Sequence, residues 1–122
     1  MNKKTFIYDT SKGFSSLIKH YYSTKLNIEA CTNKKKFLLE NIKDYDVCFF
    51  VVNDMDDLSN LIKIYHKIEH FIIGSPNKII EEKILSLNYE DIVILDFNSS
   101  KHEILKVINQ NLESKELLEI KN

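Results

Sequence analysis

Tyr45-Asp46-Val47-Cys48-Phe49-Phe50-Val51-Val52-Asn53-Asp54 decides the reading of this chain. Six consecutive apolar residues, most of them β-branched or aromatic, form a run of strand length. Nothing alternates within it, so both faces of the strand must be buried. A central strand of a parallel sheet meets that condition. The run stops at Asn53-Asp54-Met55-Asp56-Asp57, where a helix with apolar Leu58, Leu61, Ile62, Tyr65 and Ile68 can start.

The same alternation extends in both directions. Strand-like runs are expected at Thr5–Tyr8, Asn27–Cys31, Val47–Val52, His70–Ile73 and Asp91–Leu95. Helix-like stretches follow each one. The first carries Phe14, Leu17, Ile18, Tyr21 and Tyr22. The second opens at Asn33 as N-cap and carries Phe37, Leu38 and Ile42. The fourth follows Pro76 and carries Ile79, Ile80, Ile84 and Leu87. The fifth opens with a capping box, Ser100 to Glu103, and carries Ile104, Leu105, Val107, Ile108 and Leu112. Five βα units in 122 residues predict one α/β domain over residues 1–122. Residues 115–122 then form a tail or a helix extension, with Leu117, Leu118 and Ile120 among charged residues.

Composition narrows the function classes. The formal net charge is -1, and every basic residue is a lysine. Without net positive charge or an arginine fork, nucleic acid is not an expected partner. No run is long enough to span a membrane. Cys31 and Cys48 both fall inside strands and read as free core thiols, which places the chain in a reducing, cytoplasmic compartment. The four histidines are scattered, with no third ligand at zinc spacing.

Three stretches carry a resemblance. Phe6-Ile7-Tyr8-Asp9 is a first strand ending in an acid, Tyr45–Phe50 is a "YD" plus apolar strand, and Phe71-Ile72-Ile73-Gly74-Ser75 is a fourth strand ending in a hydroxyl. In these the chain resembles the receiver domain of response regulators. The resemblance implies a flavodoxin-like three-layer sandwich with strand order 2-1-3-4-5. It also implies a pocket at the strand ends: an acid pair holding Mg²⁺, an Asp that accepts phosphate, a Ser or Thr on strand four, and a Lys on strand five.

Carried over residue by residue, that pocket is degenerate. The acid pair becomes Asp9 and Thr10. The phosphoacceptor becomes Val51, or Asn53 if the strand runs two residues longer. The lysine becomes Leu95, and only Ser75 matches. The resemblance therefore implies a pseudo-receiver, or atypical response regulator. It would be a non-enzymatic regulatory module of bacterial signal transduction that needs no Asp phosphorylation. The expected contact surface, with a partner protein or a second copy, lies on Lys78–Leu87, Asp91–Phe97 and Lys101–Leu112.

Other readings stay open. Asp9, Asp54 and Asp56, with Asp57, are candidate Mg²⁺ ligands, or Asp54 and Asp56 simply cap the helix that follows. A shifted register would make Asp54 the phosphoacceptor. Asp9-Thr10-Ser11-Lys12-Gly13-Phe14-Ser15-Ser16 loosely resembles the FMN phosphate loop of flavodoxins, and reads also as an ordinary helix entry. Lys34-Lys35-Lys36 reads as a solvated helix face.

Overall fold

The computed structural model describes residues 3–42 and 44–118. The strands are β1 (Lys3–Tyr8), β2 (Leu26–Cys31), β3 (Val47–Val51), β4 (His70–Gly74) and β5 (Ile92–Leu95). The helices are α1 (Gly13–Tyr22), α2 (Met55–Ile64), α3 (Lys78–Ser86) and α4 (Lys101–Ser114). All strand pairs are parallel, in the order β2-β1-β3-β4-β5.

The central strand is apolar throughout because each of its faces meets a different layer. Cys48 and Phe50 point into one core with Tyr8, Phe71 and Ile73, under Leu58, Leu61 and Ile64 of α2 and Ile80 and Ile84 of α3. Val47 and Phe49 point into the other with Ile7, Ile72 and Leu95, under Ile18 and Tyr22 of α1 and Ile108 and Leu112 of α4. All five residues of β3 are buried. The chain after α4 folds back: Leu117 is buried in the α1–α4 layer and Leu118 packs against it. Ile120 lies outside the described residues.

One expected element is absent. The stretch after β2 is not a helix but two 3₁₀ turns, Lys34–Lys36 and Leu39–Asn41, with Phe37 and Leu38 extended between them. Asn33 does cap, but it caps the first of these turns, accepting from the Lys35 amide. The physical reason is local. Three lysines in the first turn face the positive end of the helix dipole. The apolar residues also do not hold one stripe, since Leu38 and Leu39 are exposed. The extended link lets Phe37 reach the rings of Phe6 and Tyr8, while Ile42 is buried beside α2 and α3. Two side chains thus cover sheet surface that a helix covers elsewhere.

Candidate functional site

In a parallel sheet of this order, ligands bind beyond the carboxyl ends of the strands. Asp9, just past β1, is fully buried. Its Oδ1 accepts from the Ser11 amide (3.1 Å) and hydroxyl (2.6 Å), and its Oδ2 accepts from the Ser15 amide (2.9 Å). Both oxygens are thus committed to the β1–α1 turn. The bonds also hold the turn in shape: Lys12, at the N-cap of α1, sits at φ 70° and makes no side-chain cap bond. Asp9 does the capping in its place.

Thr10 and Asn53 are brought together, the Asn53 amide donating to the Thr10 hydroxyl at 3.2 Å. Val51, at the end of β3, is 2 % exposed and pairs with Gly74 of β4. The Phe97 ring lies on Gly74: two ring carbons sit 2.5 and 2.6 Å from where a Cβ on residue 74 would be. Phe14 packs beside it, with ring centroids 5.4 Å apart. Leu95 is buried in the α1–α4 layer. The Ser75 hydroxyl is buried, donates to the Val52 carbonyl at 2.6 Å and accepts from the Asn77 amide at 3.1 Å. The edge of β3, β4 and β5 is therefore closed by apolar side chains and self-satisfied polar groups.

The acidic residues after β3 do three separate jobs. Asp54 is the N-cap of α2, accepting from the Asp57 amide at 2.9 Å. It also pairs with Lys34 at 2.8 Å, and that ion pair, with the cap bond, holds its carboxyl below the usual range. Asp56 reaches Lys34 at 3.5 Å from an exposed position. Asp57 is fully buried. Its Oδ1 accepts from the Tyr8 hydroxyl at 2.6 Å and its Oδ2 from the Asn53 amide at 2.9 Å. Burial, reinforced by this bond to Asp57, pushes the Tyr8 phenol well above its usual range.

Mg²⁺ does not suit this donor set. A divalent ion of this kind wants carboxylate oxygens open to it. Those of Asp9 receive amide and hydroxyl protons, and Asp54 and Asp56 turn toward Lys34. Among the described residues no three His, Cys, Asp or Glu side chains group as a metal site would require.

Two features escaped the sequence reading. The Tyr8–Asp57 pair spans 49 residues, and no local pattern announces it. The second is a cleft of about 770 Å³ at the ends of β1 and β2, lined by Thr10, Lys12 and Ala30 and by the run Cys31 to Lys36. Lys34–Lys36 line it because the chain there turns instead of forming a helix. Cys31, expected in the core, is half-buried on its wall, while Cys48 is fully buried.

No protein-family model matches the chain, and no curated protein matches it in sequence. Solved structures do match in shape. A CheY-like response regulator receiver domain from Methanospirillum hungatei is 16% identical with a TM-score of 0.65, covering 95% of this chain and 98% of that one. The signal receiver domain of an HD-domain protein from Pseudomonas fluorescens is 13% identical with a TM-score of 0.66, again covering 95% and 98%. A receiver domain of a Francisella response regulator is 20% identical with a TM-score of 0.61, covering 93% and 99%. Strand order, layer arrangement and near-complete mutual coverage agree: this chain has the fold of a response-regulator receiver domain.

Proposed function

We propose that the chain is a receiver-type signalling module whose output is a protein–protein contact that needs no aspartyl phosphate. What supports this is the end of β3: carried over from receivers, the phosphoacceptor position falls on Val51, which is buried, or on Asn53, and neither side chain has a carboxylate to take phosphate. The neighbouring groups agree with it. Ser75 spends its hydroxyl on the Val52 carbonyl, and Leu95 stands where a phosphate-pairing lysine would. The module is non-enzymatic and cytoplasmic on this reading.

The proposed contact surface is α3, β5 and α4. Ile79 and Leu85 on α3 are 66% and 54% exposed, and Val107 on α4 is 41% exposed. β5 is an edge strand of Ile92, Val93 and Ile94, each only half-buried. An edge strand with exposed apolar side chains on the flanking helices suits a protein partner or a second copy. Two amides of the β1–α1 turn already bond Asp9, which weakens an FMN reading, because the flavin phosphate would need them.

The test is an NMR titration of labelled protein with Mg²⁺ and beryllofluoride, a mimic of phospho-Asp. Unchanged amide positions at Asp9, Asn53, Asp54 and Ser75 are expected. Saturable shifts spreading from these residues into α3 and β5 would overturn the proposal and establish a working phosphoacceptor.

A further inference from the structure

The cleft between the β1–α1 turn and the 3₁₀ segment after β2 is unlike the rest of the surface. Its lining includes four lysines, Lys12, Lys34, Lys35 and Lys36, on two separate stretches of chain, and no acidic residue. The whole chain carries a formal net charge of -1, so this is a local concentration of positive charge on a nearly neutral molecule. Among the described residues only Lys34 is ion-paired, to Asp54 and Asp56. Among the described residues Lys12, Lys35 and Lys36 have no carboxylate within ion-pair distance. Thr10, Thr32 and Asn33 add hydroxyl and amide groups to the lining. The volume, about 770 Å³, falls in the range of small-molecule sites.

The backbone around the cleft is specific as well. Lys12 is held in the left-handed region at φ 70°, a conformation that costs a non-glycine residue about 1–2 kcal/mol. The opposite wall is placed by the Asn33 cap and by the Lys34–Asp54 ion pair, which ties the 3₁₀ turn to the start of α2. These three lysines therefore stand on two anchored walls. Three point charges divided between two walls match an anion with several separated charges better than a single phosphate.

We infer that this cleft binds a small oligophosphate anion, with Lys12 on one side of the phosphate chain and Lys35 and Lys36 on the other. The site is independent of the phosphoacceptor position and of the proposed protein contact, so either reading can fail without the other.

The test uses the full chain and inorganic triphosphate, with ATP as a second probe and sulfate at matched ionic strength as control. Saturable binding with Kd below about 1 mM is expected. Amide shifts should be confined to Thr10–Gly13 and Thr32–Lys36. Triphosphate should also slow alkylation of Cys31, while buried Cys48 stays unreactive. The triple variant Lys12→Gln, Lys35→Gln, Lys36→Gln should lose at least about tenfold in affinity. Its lysines are exposed, so its thermal midpoint should hold; if it does not, the Lys35→Gln and Lys36→Gln single variants provide the reading. Equal affinity for ATP and triphosphate would make the phosphate chain the whole determinant, and tighter ATP binding would add a nucleoside contact; both support the site. Non-saturating shifts, shifts shared with remote Lys63, Lys83 and Lys106, sulfate competing as well as triphosphate, or a triple variant that binds like the parent would overturn it.

Discussion

Replacing Tyr8 with Phe removes one hydroxyl and tests whether the buried Asp57 is a structural carboxylate. The ring keeps its place in this substitution. It stacks on Phe50 with centroids 4.3 Å apart and meets Phe37 edge-on at 5.3 Å, and neither contact involves the oxygen. The loss falls on Asp57 Oδ1, which accepts the Tyr8 proton at 2.6 Å in a fully buried position. Among the described residues the Asn53 backbone amide, on the other oxygen, then remains to it. A hydrogen bond to a charged group contributes about 1.5–3 kcal/mol, and an orphaned buried acceptor puts the loss at the upper end. Asn60 also loses an acceptor, but it is half-buried and can turn to water. The expected cost is about 2–3 kcal/mol, or a fall in thermal midpoint of roughly 8–12 °C for a domain of this size. Urea unfolding followed by circular dichroism gives the free energy directly. Tyr45→Phe is the internal control. It loses a bond to exposed Glu29 and should cost less than about 1 kcal/mol. In the double variant Tyr8→Phe, Asp57→Asn, the cost should fall short of the sum of the single costs, because the orphaned charge is gone. A Tyr8→Phe cost below about 0.5 kcal/mol would refute the reasoning, since it would mean that the Asp57 carboxyl is already hydrated.

Two further outcomes follow from the same structure. Gly74→Ala drives a methyl into the Phe97 ring and should cost about 1–3 kcal/mol; adding Phe97→Leu should recover part of that, and strict additivity of the pair in urea unfolding would show that the ring does not rest on Gly74. Burial, with the Glu113 charge nearby, pushes the Tyr22 phenol up to about 12. Its folded value lies above its unfolded value, so its contribution is complete below pH 10 and is lost as pH rises through 10 to 12. The slope of stability against pH in that window should be shallower in Tyr22→Phe than in the parent, whatever the absolute cost of losing the bond to Asn109. Parallel slopes would mean that Tyr22 ionises as freely in the fold as outside it.

The fold was legible because the sheet leaves periodic marks. Val47–Val51 has no polar residue to place, so it must be central, and the four other strands and four helices fall near the expected bounds. The missing helix shows where pattern fails: Leu38 and Ile42 stand four apart, as on a helix face, but a lysine triplet at the start and an exposed Leu39 outweigh that match. At the site, sequence named the residues at each strand end but not what they do. Asp54 as a cap was legible, because capping is local. Tyr8–Asp57 and Phe97 on Gly74 were not, because each joins distant elements through side-chain geometry. The basic cleft was hidden for a related reason. A lysine run reads as solvent-facing until the turn that aims it is known.

The groups at the strand ends are better understood as a set than one by one. Buried polar groups without partners cost stability. Here each buried polar group at this edge has a partner within the fold, and the apolar ones are packed. Val51 and Leu95 are packed, Asp9 closes the α1 turn, Ser75 ties β4 to the Val52 carbonyl, and Asp57 anchors α2 to β1 through Tyr8. Val51 is 2% exposed and pairs with Gly74, on which the Phe97 ring lies, so an aspartate there would be a buried charge. The polar inventory left available to a ligand sits one strand away, where Lys12 and the lysines after β2 face the same cleft.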